Sequence, residues 1–242
     1  MQRILVINPK GGSGKTTVAI NLASHYAMRG ENPVLMDYDR QGSAGQWIKK
    51  RKETQPHIGL ISAYECSMRT TRAFQLRIPA GTGRVIIDTP AAISAQDMPD
   101  LTRTADKILV PVLPSDIDIH ACSRCVQNLL LIAKVHREDN RLAIIANRVR
   151  RNTVIYQSLT RFLATLGIPI VATLRDSQNY VRGAEHGLGL DEMKSYQVED
   201  DLPQWQPLLD WLDQPSRITA PGVNYIPAAS VPEAPRAEAA LA

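Results

Sequence analysis

Aromatic residues are scarce in this 242-residue sequence: two Phe, seven Tyr and three Trp, or 5% of the chain. Its core therefore has to be aliphatic, built from Ile, Leu, Val and Ala. Cysteine is scarce as well. Three cysteines, an odd number, exclude a disulfide framework and fit a reducing cytoplasm. Long apolar runs are missing: the stretch around Leu129-Leu130-Leu131-Ile132-Ala133 falls far short of the ~20 residues that cross a bilayer. Met1-Gln2-Arg3 leads directly into the first apolar segment, so no secretory leader is expected. Nor does one charge sign dominate. A net charge of +4 and a pI near 9.0 admit a polyanionic partner without requiring one. The composition is that of a soluble cytoplasmic chain, with 44% hydrophobic and 21% charged residues.

What is present is a recurrence of apolar runs, at 4–7, 33–36, 58–61, 85–87, 108–112, 142–146 and 168–171. Helical stretches are expected between them near 15–29, 42–52, 97–105, 118–137, 153–166 and 178–186, with a short last helix over 202–212. Runs that are continuous rather than alternating predict strands buried on both faces. The fold class is α/β, a mostly parallel twisted sheet flanked by helices on both faces. Ligands of such sheets sit beyond the carboxyl ends of the strands. Residues 1–213 read as one domain. Residues 214–242, with Pro215, Pro221, Pro227, Pro232 and Pro235 among alanines, read as a disordered tail without a basic amphipathic helix.

The first apolar run ends in Lys10-Gly11-Gly12-Ser13-Gly14-Lys15-Thr16-Thr17, which opens onto Val18-Ala19-Ile20-Asn21-Leu22-Ala23. Strand, glycine loop and helix in that order form a phosphate cradle. The glycines let several N–H groups converge on one anion, and the helix dipole points its positive end there. Lys15 is placed to reach the β- and γ-phosphates of ATP, and the Thr16 hydroxyl to hold Mg²⁺. A standard cradle of this kind has glycine at position 9, where this chain has Pro9, and lacks a lysine at position 10.

This K-G-G-x-G-K-T-T form resembles the deviant Walker A motif of the ParA/MinD ATPases, a P-loop NTPase family. The resemblance covers roughly residues 1–212 and is closest to small partition members. It implies that Lys10 reaches across a homodimer to phosphates bound by the partner subunit. Asp37-Tyr38-Asp39-Arg40-Gln41-Gly42 resembles the family's D-x-D-P-Q-G segment, with Arg40 in place of proline. Asp39 then matches the carboxylate that orients the attacking water, and Asp37 lies near the metal; on residue type alone both could be caps or solvated charges. Arg84-Val85-Ile86-Ile87-Asp88-Thr89-Pro90 reads as Walker B, with Asp88 holding Mg²⁺. Asn147 resembles the family's adenine-contacting asparagine, although a turn asparagine fits the same spot.

Pro114-Ser115-Asp116-Ile117-Asp118 resembles a stretch leading into a helix near the dimer face; either aspartate could be an N-cap. Arg148, Arg150, Arg151, Arg175 and Arg182 lie where family members bind DNA without sequence preference. The resemblance implies an ATP- and Mg²⁺-dependent ATPase that dimerises, binds double-stranded nucleoid DNA and positions a cargo. An adaptor protein would stimulate hydrolysis, and no membrane would be involved. The cargo could be a plasmid, a chromosomal locus or a protein assembly such as a carboxysome or chemoreceptor cluster. Two other readings share the scaffold. One is a metal or iron–sulfur carrier using Cys122 and Cys125, although small thiols packing a helix fit the same C-x-x-C. The other is a MinD-like membrane-associated ATPase.

Overall fold

Every strand of the sheet runs in the same direction, because each is followed by a helix or loop that returns to the starting edge. The computed structural model describes residues 1–65, 77–93, 96–150 and 153–216. Its strands are β1 (Gln2–Val6), β2 (Val34–Asp37), β3 (Gly59–Ser62), β4 (Arg84–Asp88), β5 (Lys107–Val112), β6 (Leu142–Val149) and β7 (Ile170–Arg175). They form one seven-stranded sheet in the order β3-β2-β4-β1-β5-β6-β7, with every pair parallel. The described helices are α1 (Lys15–Met28), α2 (Ser43–Lys49), α3 (Met98–Arg103), α4 (Asp116–Leu131), α5 (Val154–Thr165), α6 (Gln178–His186), α7 (Ser195–Val198) and α8 (Gln206–Asp213). The expected α/β architecture is what the chain adopts.

Alternate residues of each apolar run serve opposite cores. Ile4, Val6, Leu35, Ile86 and Leu109 pack with Val18, Ala19 and Leu22 of α1 and with Leu208, Leu209 and Leu212 of α8. Leu5, Ile7, Val85, Ile87, Ile108 and Val110 pack with Ile119, Cys122, Cys125 and Leu129 of α4 and with Leu159 and Leu163 of α5. This is why the runs are unbroken in sequence: each face of the sheet needs its own set of side chains. Connections leave β1 toward β2 and leave β5 toward β6, so strand order reverses between the adjacent strands β1 and β5. A crevice opens at such a reversal.

Several boundaries differ from expectation, and two of them have a visible cause. The helix expected to run to 137 ends at Leu131, where Ile132 and Ala133 both donate to the Asn128 carbonyl and Lys134 turns left-handed at φ 52°. The last strand was expected over 168–171 and forms over Ile170–Arg175. Pro169 has no N–H for a ladder, and its carbonyl instead accepts from Ile144 at the start of the pairing. At the opposite end of the chain, α1 stops at a Schellman turn: Gly30 at φ 73° donates to Ala27 and Glu31 to Tyr26. The amino ends of the strands also gather the two ends of the described chain, since the Gln2 amide donates to the Leu212 carbonyl at 2.7 Å. The tail beyond residue 216 lies outside the described residues. Among the described residues no helix is long and apolar enough to cross a membrane.

Candidate nucleotide site

The loop between β1 and α1 bends through two left-handed glycines, Gly12 at φ 77° and Gly14 at φ 93°, the latter being the N-cap of α1. Asn8 organises the entrance to the loop. Its buried amide donates to the Pro111 carbonyl of β5 at 2.7 Å, and its side-chain oxygen accepts from the Lys10 N–H at 2.9 Å. Gly11, Gly12, Gly14, Lys15, Thr16, Thr17, Asp39, Gln41, Ser43, Ala91 and Arg148 enclose a cavity of about 270 Å³ above the loop. Lys15 is only 7% exposed, and its ammonium donates to the Lys10 carbonyl at 3.2 Å. Burial holds its pKa below the ordinary lysine value, against the pull of Asp88 and Asp39. An anion placed here would relieve that burial cost.

The acids divide their roles. Asp88, fully buried at the end of β4, accepts from the Thr16 hydroxyl through Oδ2 at 2.7 Å, while Oδ1 has no hydrogen-bond partner among the described residues. Burial pushes its pKa up to about 7, with the Thr16 hydrogen bond opposing the shift. An orphaned carboxylate oxygen beside a hydroxyl is a donor set that a hard divalent cation satisfies, so these residues fit Mg²⁺. Asp37, which pairs with Asp88 in the β2–β4 register, is used differently. Its Oδ1 accepts from the Asp39 N–H at 2.9 Å and its Oδ2 from the Gly45 N–H at 3.3 Å. Burial raises its pKa in spite of those two bonds. Asp37, which the sequence expects near the metal, lies beside Asp88 in the sheet and through these bonds also braces the loop and the start of α2. Asp39 accepts from the Gln41 N–H at 3.0 Å and lines the same cavity as Lys15. Arg40 takes proline's place in that turn, and the Gly42 N–H closes it onto the Asp39 carbonyl at 2.8 Å.

Lys10 is held within its own chain. Its ammonium lies 2.5 Å from Asp118 Oδ2, with the side chains 32% and 3% exposed. Asp118 also accepts from the Ser115 hydroxyl, and Ser115 caps α4 by accepting from the Asp118 N–H at 3.2 Å. The cap of α4 is therefore the serine, and Asp118 is left to meet the lysine across the β1/β5 crevice. The sequence showed both residues but gave no sign of the pairing.

On the other side of the loop, Thr17, Asn147, Arg148, Asp176, Ser177, Gln178, Tyr180 and Val181 line a second cavity of about 220 Å³. Asn147 is 4% exposed and lines this cavity, where the sequence expects an adenine contact. Its amide also does structural work: Nδ2 donates to the Ser13 carbonyl at 2.9 Å, and Oδ1 accepts from the Arg148 N–H at 3.0 Å. A Cβ on Gly14 would lie 2.0 Å from Nδ2, so the third glycine of the loop and this asparagine require each other. Ser177, Gln178 and Tyr180 escaped sequence reasoning; their only signal was their position just after β7.

The expected DNA-contacting arginines do not share one fate. Arg148 lines both nucleotide cavities. Arg175 is paired with acids, with Nε on Asp201 at 2.5 Å and Nη1 on Asp200 at 3.0 Å. Arg150 makes an exposed pair with Asp176 at 3.1 Å, Arg182 is exposed on α6, and Arg151 lies outside the described residues. Cys122 and Cys125 are 0% exposed in the core between α4 and the sheet, where burial pushes both thiols up to about 12. Protonated, enclosed thiols pack a helix, and this arrangement does not favour the metal-carrier reading.

Comparison with known proteins places this geometry. Residues 4–190 match the family model described as the CobQ/CobB/MinD/ParA nucleotide binding domain. The chain is similar to "Maintenance of carboxysome distribution protein A" of Gloeobacter kilaueensis, 29% identical over 222 residues, covering 87% of this chain and 94% of that protein. In fold it is similar to apo McdA from Cyanothece, with TM-score 0.68 and 16% identity over 88% of this chain and 99% of that one. It is also similar to a plasmid partition protein of Borrelia burgdorferi B31 bound to AMPPNP, with TM-score 0.67 and 16% identity over 87% and 97% of the two chains. With its phosphate loop, second lysine and strand-end acids set on a parallel sheet, the chain belongs to the MinD/ParA nucleotide-binding family.

Proposed function

We propose that this protein is a Mg²⁺-dependent ATPase that dimerises on ATP, binds nucleoid DNA without sequence preference and positions a cargo. The observation that carries the reading is Lys10: a second cation at the loop entrance, directed away from its own phosphate cavity and onto Asp118. A lysine that does not serve its own site is available to a partner's. The phosphates of ATP would lie on the N–H groups of residues 11–17, with Lys15 against the β- and γ-phosphates. Thr16 and Asp88 would hold Mg²⁺, which neutralises charge on the phosphate oxygens. Asp39 orients the attacking water from the rim. Lys10 of each subunit completes the other's site when two copies close face to face. Hydrolysis, stimulated by an adaptor protein, returns the subunits to monomers.

DNA binding is supported by the basic pI near 9.0 and by exposed Arg182 and Arg150, and it needs only backbone phosphate contact. Similarity to carboxysome distribution proteins along most of both chains supports a protein assembly as the cargo.

Asp39→Ala tests the reading. The variant is expected to bind ATP, dimerise and stay on duplex DNA, with hydrolysis reduced to background. Dimerisation is read by sedimentation and DNA retention by filter binding at increasing salt, where retention should fall steeply. Hydrolysis at the wild-type rate would remove Asp39 from the mechanism. DNA binding without ATP would remove the tethering step.

A further inference from the structure

The phosphate cavity and the second cavity have two residues in common, Thr17 and Arg148. A nucleotide with its terminal phosphates in one and its base in the other must pass between them. We infer that Arg148 is a nucleotide-binding residue whose guanidinium takes the α-phosphate at that junction. The inference rests on the nucleotide-site reading given above.

Three features of the chain lead there. First, the Arg148 guanidinium has no hydrogen bond or ion pair among the described residues, whereas Arg150 and Arg175 both have carboxylate partners nearby. Second, Arg148 has a left-handed backbone at φ 50°, a conformation that glycine adopts freely and a bulky residue rarely does. The Asn147 amide fixes that turn by accepting the Arg148 N–H while donating to the loop carbonyl of Ser13. The strand end is thus tied to the phosphate loop, with an arginine at the position where a glycine would be the simpler choice. Third, the proposed site already provides for the other phosphates: Lys15 lines the phosphate cavity, and Thr16 and Asp88 are hydrogen-bonded where Mg²⁺ would be held. The group left for a cation beside Thr17 is the phosphate nearest the ribose. A planar guanidinium suits it, because two parallel N–H donors match two phosphate oxygens.

The α-phosphate is present in both ATP and ADP, so the two nucleotides should lose affinity together. Titration calorimetry of the purified full chain with ATP and with ADP is the test, using Arg148→Ala, Arg148→Gly and Arg148→Lys. The alanine and glycine variants are expected to weaken both nucleotides by about tenfold, roughly 1.4 kcal/mol. Lysine, which keeps the charge but not the fork, should recover part of the loss. Glycine fits the φ of this position, so Arg148→Gly separates loss of the contact from loss of the fold, with a thermal midpoint at or above that of the wild type. Affinities within twofold of wild type in both truncations would overturn the inference, whether or not DNA binding changed. A loss confined to ATP would also overturn it, by moving the contact to the γ-phosphate. Failure of the wild type to bind either nucleotide would instead remove the site reading itself.

Discussion

Removing Asp118 should make the dimer easier to form, and the structure sets the size of the effect. In the single chain Lys10 pairs with Asp118 at 2.5 Å, and in the proposed dimer it has to leave that carboxylate to reach the partner's phosphates. The lysine is 32% exposed and the aspartate 3%, so the pair lies between a solvated surface bridge and a buried one. A surface bridge contributes about 0–1 kcal/mol, and breaking a buried one costs about 3–5 kcal/mol. About 1 kcal/mol per lysine is a conservative value for the release. Two lysines are released per dimer, so Asp118→Asn should favour ATP-dependent dimerisation by about 2 kcal/mol, roughly thirtyfold in the dimer constant. Asparagine can still accept from the Ser115 hydroxyl and keep the start of α4 in place. Lys10→Ala should act in the opposite sense. The variant keeps Lys15 and ATP binding but loses dimers and stimulated hydrolysis, and the closest measured analogue, an arginine finger, is worth about 10³–10⁵ in rate. Sedimentation at graded protein concentrations with ATP, together with phosphate release, measures both. An unchanged dimer constant in Asp118→Asn, or a rate loss below tenfold in Lys10→Ala, would refute the argument.

The Asn147–Gly14 contact makes a second prediction: Gly14→Ala would set a Cβ 2.0 Å from the Asn147 amide on a backbone at φ 93°, and nucleotide binding measured by calorimetry should be lost. Far from the phosphates, Arg51 and Glu192 form a buried pair at 2.7 Å, 7% and 5% exposed, that ties the end of α2 to the segment after α6. Although burial opposes it, hydrogen bonds from Arg51, Gly189 and Ser24 hold the Glu192 pKa below the ordinary carboxylate value. A depressed folded-state pKa gives stability that is fully present above the unfolded value, about 4.3, and is lost as pH falls through the folded one. Glu192→Gln should therefore cost about 3 kcal/mol in urea unfolding at pH 7, with the gap to wild type closing below about pH 4. A gap that stays constant from pH 7 to pH 3 would show that the carboxylate charge is not what stabilises the contact.

The sheet was legible because its strands are buried on both faces and so print continuous apolar runs. β7 was placed least well: it is an edge strand, where Thr173 and Arg175 are half-exposed and interrupt the run. The short turns between 190 and 198 were missed because three- and four-residue helices carry no period to read. Within the site, what lies on one loop could be read directly, from Lys10 through Thr17, and so could the acids at the ends of β2 and β4. What depends on two distant strand ends meeting could not be read. Asp118 facing Lys10, Asn147 bracing Ser13 and Arg148 joining two cavities all come from sheet order, which no local spacing encodes. The backbone bonds of Asp37 were equally hidden. A carboxylate at a strand end near a metal site looks the same in sequence whether it faces the metal or the backbone of the next turn.

The Gln2–Leu212 hydrogen bond brings residues at the two extremes of the described chain together at the amino edge of the sheet, while the nucleotide residues lie past its carboxyl edge. A fluorescent protein or surface tether attached beside Gln2 would therefore start from the edge of the sheet opposite the nucleotide residues. The proposed dimer closure could then be followed in real time with the label kept away from the nucleotide residues. The same adjacency suits a circular permutant that omits residues 217–242: a short linker could join the two ends of the described chain, with new termini opened in an exposed loop.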